Sequence, residues 1–372
     1  MLTHQQDQIP PQRTLLVMDF VYTALPMRVV FRAGALADLP REISRLGAHK
    51  ALVLSTPEQA AQAEQVAIQL GERAVGVFAR AVMHVPIETA REARQIAREL
   101  GADCAVAVGG GSTTGLGKAI ALDSGLPIIA IPTTYAGSEM TPIFGITEGG
   151  VKRTGSDPRV LPRTVIYDPD LTMTLPVGLS IASGLNAVAH AAEGLYARDG
   201  SPIMSLMAEE GMRAFAASLP GIKANPVDPE ARALALYGAW LCGAVLGNVG
   251  MALHHKLCHT LGGSFNLPHA EVHTVILPHA IAYNAPAIPE ALERMRRALH
   301  SDDPATSLYD LARANGAPWS LRALGLAEAD LDRATDLALA NPYWNPRPIE
   351  RAGIRQLLQN AWEGLRPVSR AI

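Results

Sequence analysis

Polar side chains that could do chemistry recur at helical spacing in the second half of this sequence. Asn186 and His190 lie four residues apart in SGLNAVAHAAEG, and His255 and His259 repeat that spacing in HHKLCHTLGG. Residues four apart share one face of a helix. LPHAEVH contributes His269 at the predicted start of another helix. Imidazoles and a short polar side chain gathered from separate helices could bind a divalent metal or perform acid–base chemistry.

The residue at position 186 favours acid–base chemistry over a metal. Asn186 offers only a neutral carbonyl oxygen, and no carboxylate accompanies the three histidines, so the set has too little negative charge to hold iron or zinc firmly. We therefore expect no bound metal. Four histidines are interpreted as structural, namely His4, His49, His84 and His300, and no role is assigned to His254, His273 or His279.

Two turns rich in glycine and hydroxyl groups predict a dinucleotide site. VAVGGGSTTGLG joins a predicted strand to a helix, whose free N–H groups attract phosphate, and PTTYAGSEMT follows the next strand. Both turns lie at carboxyl ends of strands, where open α/β sheets bind ligands. The glycine spacing matches neither G-x-G-x-x-G nor the Walker pattern, so a tight turn without a ligand is the alternative. The expected cofactor contacts are Gly109, Gly110, Gly111, Ser112, Thr133, Thr134 and Ser138.

The elements that must position these residues fall into two blocks. KALVLS, CAVAVGG, LPIIAIP and RTVIYD are predicted buried strands, and helical segments that end at glycine separate them. This alternation predicts a parallel, Rossmann-like sheet covered by helices. From about residue 174 onward only helices are predicted. We expect an α/β dinucleotide-binding domain, residues 1–172, and an all-α domain, residues 173–372, that completes the cleft.

Composition excludes several classes of protein. The chain has 372 residues, 48% of them hydrophobic, and a net charge of −3, which argues against nucleic-acid binding and against a basic membrane surface. Its apolar runs are too short to cross a bilayer, and MLTHQQDQIPPQR lacks the apolar region of a signal peptide. Three separated cysteines without a CxxC pattern indicate reduced thiols. We expect a cytoplasmic enzyme.

The motifs GGGST, PTTYAGSEMT, SGLNAVAHAAEG and HHKLCHTLGGSFNLPHAEVH, in this order, resemble the iron-containing alcohol dehydrogenase superfamily. The similarity runs from about residue 28 to residue 348, and PTTYAGSEMTPIFGITEGGVKRTGSDPRVLP is most similar to the maleylacetate reductase branch. The resemblance implies a dehydroquinate synthase-like fold and a homodimer joined through N-terminal strands, for which LLVMDFVYTALPMRVVF is available. It also implies NAD(P)H-dependent reduction of the conjugated C=C bond of maleylacetate, a dicarboxylate, to 3-oxoadipate in aromatic degradation.

Two departures from the metal-dependent relatives are informative. Those relatives carry aspartate where this chain has Asn186, with histidines matching His190, His255 and His269, so the resemblance also implies metal-free chemistry. NAD-specific relatives place an acid at the position of Thr56, where it bonds the ribose and repels a 2′-phosphate. Thr56 removes the repulsion, so both NADH and NADPH are expected as cofactors.

The implied reaction gives each candidate residue a role. Hydride addition to the alkene carbon β to the ketone leaves an enolate, which His255 or His259 is expected to stabilise while the other helps seat a carboxylate. The proton comes from a histidine, Tyr135 or water. Lys152, Arg153 and Lys256 are further cations near these motifs. The expected catalytic residues are His190, His255, His259 and Tyr135, and the expected substrate contacts are Asn186, His269 and Arg347.

Three other functions remain open from the sequence. A metal-dependent alcohol dehydrogenase of the same fold would reduce a carbonyl at iron or zinc, and Asn186 disfavours it. A lyase-type sugar-phosphate cyclase would also need a metal. A regulator that binds nucleotide without catalysis is disfavoured by the full set of histidines.

Overall fold

The computed structural model describes residues 20–149 and 151–369. The predicted polar extension at residues 1–13, and the first residues of the predicted dimerisation segment, lie outside that part of the chain. Within it, a parallel sheet with flanking helices precedes a block of helices, which confirms the predicted fold class. The sheet ends at Tyr167, and the first long helix after it begins at Val177.

The strands form one large sheet and one hairpin. The six-stranded sheet has the order β1-β8-β5-β4-β2-β3, and all of its neighbouring strands are parallel. The four predicted strands correspond to β2, β4, β5 and β8, which are buried throughout because helices cover both faces. The two edge strands and the antiparallel β6–β7 hairpin were not predicted. The strands are β1 (Arg28–Phe31), β2 (Ala51–Leu54), β3 (Ala74–Phe78), β4 (Cys104–Gly109), β5 (Ile128–Pro132), β6 (Ile143–Glu148), β7 (Val151–Ser156) and β8 (Thr164–Tyr167).

Four helices cover the sheet, two on each face. Leu39 of the first helix and Val66 of the second pack on the side of the sheet that carries Val106. Ala93 of the third and Leu116 of the fourth pack on the opposite side with Leu54. These helices are α1 (Leu39–Arg45), α2 (Ala60–Leu70), α3 (Ile87–Glu99) and α4 (Gly111–Ser124).

The second half of the described chain is helical, as predicted. Its central helix, residues 177–194, is almost wholly buried and packs against three others, so both of its polar candidates, Asn186 and His190, lie inside the protein. Side-chain caps fix two helix starts, where Asp228 and Ser201 accept backbone N–H groups. The helices are α5 (Val177–Gly194), α6 (Pro202–Ala224), α7 (Pro229–Asn248), α8 (Leu253–Phe265), α9 (His269–Asn284), α10 (Pro289–Leu299), α11 (Pro304–Ala314), α12 (Leu331–Ala340) and α13 (Arg351–Glu363).

Among the described residues, no single helix combines the length and the apolar character needed to cross a membrane. Only α7 and α8 taken together, which are bent by 96° at the break between them, meet that test of length and composition.

The sheet-bearing half and the helical half touch backbone to backbone near His190. Gly137, in the turn after β5, has a φ of 80°. A Cβ atom there would lie 3.0 Å from the Cα atom of Gly243 in α7 and 3.5 Å from His190 Nδ1. Because few real Cβ atoms approach backbone so closely, this contact favours glycine on both sides, and the positive φ of Gly137 favours glycine there independently.

Candidate active site

The glycine-rich turn places free backbone groups at the carboxyl ends of β4 and β5. Gly109 has a φ of 152°, and a Cβ atom there would lie 2.4 Å from Thr113 Oγ1. A Cβ atom on Gly110 would lie 2.8 Å from Thr134 Oγ1, so the two turns are in direct contact. Gly110 is the N-cap of α4, whose first N–H groups have no side-chain cap and can donate to a phosphate. The structure therefore brings together the predicted cofactor residues of both turns.

A third turn, after β2, joins this edge of the sheet. Thr56 begins a short 3₁₀ turn, and Gln59 Nε2 in that turn donates to Thr133 Oγ1 at 2.8 Å. The pKa of Glu58 is lowered by a backbone hydrogen bond and by the Thr56 hydroxyl. Gln59 and Glu58 were not predicted from the sequence, since only the strand order shows that the β2 turn lies beside β4.

A buried lysine fixes the turn that carries Ser138. Lys118 Nζ, in α4, donates to the carbonyl oxygens of Ser138 and Ile143 at 2.7 Å and to Thr141 Oγ1 at 2.9 Å. Burial lowers the pKa of Lys118 to about 7. Helix α4, whose N-terminus faces the cofactor edge, thus holds the backbone of Ser138. The Ser138 hydroxyl lies 3.4 Å from the same ammonium group of Lys118.

Six imidazole rings pack together beside this edge and form what we call the histidine cluster. His190 and His255 have ring centroids 5.2 Å apart, His255 and His273 4.9 Å, and His269 and His273 4.3 Å. The spacing analysis correctly anticipated that His190, His255, His259 and His269 meet, but it assigned nothing to the other two. The members of the cluster are His190, His254, His255, His259, His269 and His273.

A carboxylate that the sequence analysis missed anchors His255. His255 Nδ1 donates to Glu193 Oε2 at 2.7 Å, and Glu193 is fully buried. The two carboxylate oxygens also accept the backbone N–H groups of Ala252 and His254 at 2.7 Å, so Glu193 caps the start of α8. This contact fixes the tautomer of His255 and leaves Nε2 free to receive or deliver a proton. Glu193 lies three residues after His190, a helical spacing that could have identified it.

Several buried polar atoms in this region have no hydrogen-bond partner. They are Asn186 Oδ1, His190 Nδ1, His255 Nε2 and His273 Nε2. Leaving a buried polar group unpaired costs about 1–3 kcal/mol, so proteins rarely cluster such groups without a ligand to satisfy them. The four atoms belong to neighbouring rings and to the residue one helical turn before His190. We interpret the space they border as the substrate pocket.

His259 and His269 line the open side of the cluster. Both side chains are exposed, and their rings stack with centroids 6.5 Å apart. His259 Nδ1 lies 3.0 Å from the Tyr343 hydroxyl. Desolvation by the surrounding protein is the main cause that lowers the pKa of His259. Repulsion from neighbouring histidines, Lys152 and Lys256 lowers it further. The two lysines therefore stand close enough to make the pocket entrance basic.

Two predicted site residues have other partners. Tyr135 is fully buried, packs edge-on against Phe215, and its hydroxyl oxygen accepts from Arg232 Nη1 at 3.2 Å. This buried position against a guanidinium does not favour the predicted role of Tyr135 as a proton donor to substrate. Arg347 donates to the carbonyl oxygen of Tyr283 at 2.6 Å and lies over that ring, so the structure gives it a role in holding its own segment against α9.

Behind His255 lies a second, wholly buried group. His254 Nε2 and His273 Nδ1 are 3.0 Å apart, and Cys258 Sγ lies 3.6 Å from His254 Nε2. These three are the one set of potential metal-ligating side chains close enough to share an ion in the described part of the chain. The 3.0 Å separation is that of a hydrogen bond, and burial raises the pKa of the Cys258 thiol well above its usual range. The group is therefore best described as a neutral hydrogen-bonded chain.

Three buried histidines of the cluster, His190, His254 and His273, should make the fold sensitive to acid. Burial, reinforced by neighbouring histidines, lowers the pKa of His190, His254 and His273 well below the usual value. Below about pH 6.5 the unfolded chain binds these protons and the folded chain does not, so stability is complete above that pH and falls below it. Below that pH, each of these histidines lowers the free energy of unfolding by about 1.4 kcal/mol per pH unit. We expect the urea midpoint to fall sharply between pH 7 and pH 5.5; equal midpoints would contradict this.

The fold and these residues belong to a known protein family. Residues 26–169 match the family profile described as iron-containing alcohol dehydrogenase, and residues 180–362 match the C-terminal profile of the same family. The chain belongs to the iron-containing alcohol dehydrogenase family and is an oxidoreductase.

Individual members of this family are similar to the chain over nearly its whole length. A maleylacetate reductase from Burkholderia cepacia is 65% identical over 348 residues, which cover 94% of this chain and 99% of the relative. The crystal structure of a maleylacetate reductase from Agrobacterium tumefaciens is 58% identical, with a TM-score of 0.92 over 94% of this chain and 100% of that one. A structure described as a putative alcohol dehydrogenase from Ralstonia eutropha JMP134 is 67% identical, with a TM-score of 0.93 over 94% and 99% of the two chains.

The family name implies iron, and the residues here do not fit it. Iron(II) sites in proteins combine histidine with a carboxylate. The atoms available in the pocket are the neutral amide oxygen of Asn186 and imidazole nitrogens, while the nearby carboxylate of Glu193 already accepts His255 Nδ1 and two backbone N–H groups. The pocket supplies nitrogen donors without the anionic oxygen that iron requires.

Proposed function

We propose that this chain is a maleylacetate reductase, which uses NAD(P)H to reduce the conjugated C=C bond of maleylacetate and gives 3-oxoadipate. The observation that carries the proposal is the cluster of buried imidazoles with unpaired nitrogen atoms, in which Glu193 orients His255. The pocket lies next to the strand ends that would hold the dinucleotide. The high identity to maleylacetate reductases over nearly the whole chain supports the same assignment.

The proposed chemistry balances with one hydride and one proton. Hydride leaves nicotinamide C4 and forms a C–H bond at the alkene carbon β to the ketone, while the π electrons shift to an enolate and NAD(P)H becomes NAD(P)⁺. Hydrogen-bond donors in a buried pocket stabilise that oxyanion strongly. His255 then delivers a proton to the α carbon, and the Glu193 carboxylate stabilises the imidazolium that this role requires.

The entrance to the pocket suits a dianionic substrate. Lys152 and Lys256 influence the pKa of His259 from two sides, one from β7 and one from α8. We assign them to the carboxylates of the substrate, with His259 and His269 as hydrogen-bonding partners at the rim. The sequence analysis predicted Arg347 as a substrate contact, but its guanidinium already donates to the carbonyl oxygen of Tyr283.

The proposed reaction needs no metal. Imidazole replaces the Lewis acid of the metal-dependent relatives, as the neutral donor set at Asn186 indicates. The corresponding test is elemental analysis of the purified protein together with an activity assay in the presence of a chelator. Stoichiometric iron or zinc that is required for turnover would end this part of the proposal and would favour the alcohol dehydrogenase alternative.

Both nicotinamide cofactors are proposed to bind, because Thr56 carries no charge. Thr56→Asp should lower kcat/KM for NADPH by a factor on the order of 10², because a carboxylate there repels the 2′-phosphate, and should change kcat/KM for NADH much less. Thr56→Asn is the uncharged control of similar size. Steady-state kinetics with each cofactor measures the effect. Equal losses for NADH and NADPH in the aspartate variant would show that residue 56 does not face the ribose.

We propose a homodimer located in the cytoplasm. β1 is an edge strand, with β8 as its only neighbour in the described sheet, and the exposed Phe20 and Tyr22 precede it. An unpaired strand edge beside apolar side chains suits pairing with a second copy. Three buried free cysteines, Cys104, Cys242 and Cys258, suit a reducing compartment. Light scattering coupled to size exclusion would detect a monomer, which would contradict the dimer.

The function itself is tested by following NADH oxidation with maleylacetate and, in parallel, with a panel of simple aldehydes. We expect rapid oxidation with maleylacetate, 3-oxoadipate as the product, and no loss of rate with chelator. Preference for aldehydes would support a metal-dependent alcohol dehydrogenase instead, and no turnover of either would leave the nucleotide-binding regulator as the function to pursue.

A further inference from the structure

His273 carries an unpaired nitrogen in the substrate pocket, although the sequence analysis assigned it no role. Its side chain is 1% exposed, and its Nε2 has no partner. Its ring lies 4.9 Å from that of His255 and 6.4 Å from that of His190, centroid to centroid. The other ring nitrogen, Nδ1, lies 3.0 Å from His254 Nε2. One end of this imidazole is thus fixed while the other borders the pocket.

The hydrogen bond at His273 Nδ1 determines whether His273 Nε2 carries a hydrogen. A neutral imidazole carries one N–H, so either His254 Nε2–H donates to His273 Nδ1 or the direction is reversed. The Cys258 thiol is protonated, because burial raises its pKa, and its Sγ lies 3.6 Å from His254 Nε2 and 4.0 Å from His254 Nδ1. It therefore contacts both nitrogens and does not by itself select the tautomer of His254. When His254 Nε2–H donates to His273 Nδ1, the hydrogen of His273 lies on Nε2, the atom that borders the pocket and has no other partner.

We propose that His273 is a further catalytic residue, whose Nε2–H donates a hydrogen bond to the ketone oxygen of the substrate and to the enolate oxyanion that replaces it. His254 is the positioning residue that holds His273 in this tautomer. The proposal rests on the proposed function for the identity of the oxyanion, but not for the tautomer. It divides the work between two histidines, with His273 stabilising the oxygen and His255, on Glu193, delivering the proton.

This division removes a difficulty in assigning both tasks to His255. Glu193 holds the Nδ1–H of His255, so Nε2 is the atom that delivers the proton to the α carbon, and a proton given to carbon cannot also stay hydrogen-bonded to the oxyanion. His273 has the opposite arrangement, because its Nδ1 accepts and its Nε2 donates. The pocket therefore contains one fixed donor and one group able to transfer a proton, which is what an enolate intermediate requires.

The direct test is the ¹⁵N spectrum of the histidine rings in the wild-type holoenzyme, with assignments made from single-histidine variants. The proposal expects His273 as the neutral Nε2–H tautomer, with Nδ1 in the shift range of a hydrogen-bonded acceptor. The Nδ1–H tautomer would overturn it. This measurement uses no maleylacetate, so failure of the tautomer and failure of the proposed function give separate results.

The kinetic test separates catalysis from structure. His273→Leu should lower kcat with maleylacetate by a factor on the order of 10²–10³, with KM for the substrate changed little, because the donor acts on the developing charge. His273→Gln, which restores an N–H near the position of Nε2, should recover part of the loss. His254→Leu should lower kcat by up to about 10²-fold through misplacement of His273. Unchanged kcat in His273→Leu would overturn the proposal.

A matched control lies six residues further along the same helix. His279 is also buried on α9 with an unpaired Nε2, but its ring is not part of the histidine cluster. His279→Leu should leave kcat within about threefold of the wild-type value, since a merely structural histidine does not touch the transition state. Elemental analysis completes the test. A metal ion that is held by His254, Cys258 and His273, and lost in Cys258→Ser, would overturn the proposal because His273 would then be a ligand.

Discussion

Glu193→Gln is expected to lower kcat by a factor on the order of 10²–10⁴, the largest effect of any single-atom change in the site. The amide can turn its NH₂ group toward His255 Nδ1, which reverses the tautomer that the carboxylate now fixes. It also removes the negative charge that stabilises the imidazolium. Steady-state kinetics with NADH and maleylacetate measures the loss, and KM should change far less than kcat because the effect falls on the proton-transfer step.

Stability must be followed in the same variant, since Glu193 also caps α8. The backbone N–H groups of Ala252 and His254 both donate to its carboxylate, and an amide can accept them at one oxygen only. We expect a loss of about 1–3 kcal/mol in the free energy of unfolding, so activity is compared well below the unfolding temperature. Glu42→Gln is the matched control: Glu42 is equally buried but bonds Arg28, in the sheet-bearing half. A kcat within threefold of wild type for Glu193→Gln would remove the Glu193–His255 pair from the mechanism.

Asn186→Asp is expected to convert the pocket into a metal site. The carboxylate would supply the anionic oxygen that the present donor set lacks. Affinity for Zn²⁺ or Fe²⁺ should rise by more than about 100-fold, because even the outer partners of metal ligands change affinity by 10- to 100-fold. Calorimetric titration and elemental analysis after dialysis measure this change.

The same substitution should impair the proposed reaction. A carboxylate beside the unpaired nitrogens of His190 and His255 would repel both the dianionic substrate and the enolate, so the metal-free variant should lose turnover with maleylacetate by about 10²-fold. Asn186→Ala is the control that removes the amide without adding charge, and its metal affinity should not rise. If the wild-type protein binds metal as tightly as Asn186→Asp, the missing carboxylate is not what sets the chemistry of this pocket.

The sequence predicted the parts of the fold that depend on local pattern. The four central strands are short runs of Val, Ile and Ala buried on both faces, which periodicity and turn residues reveal directly. The edge strands β1 and β3 were not predicted because their burial is incomplete. Likewise, the i to i+4 spacing of Asn186 and His190, and of His255 and His259, predicts which residues share a helix face but not which helices meet.

What the sequence did not reveal about the site depends on packing between distant segments. Glu193 reaches the start of α8 across 59 to 62 positions of chain, and His254 meets His273 on another helix. Tyr135 was nominated from its place in a cofactor-type turn, but turn chemistry does not show which way a side chain points, and Arg232 lies 97 positions away. Residue type and spacing therefore predicted four of the six histidines that the structure brings together, whereas their hydrogen-bond partners required the three-dimensional structure.

The backbone contact between Gly137 and Gly243 has a consequence for how the enzyme can change over generations. A Cβ atom at either position would force the turn that bears Ser138 and helix α7 apart by a few tenths of an ångström. The nearest atoms are mainly backbone, which a second substitution cannot shorten. We therefore expect chimaeras that exchange the cofactor half or the helical half alone to work best when both parents retain glycine at this joint.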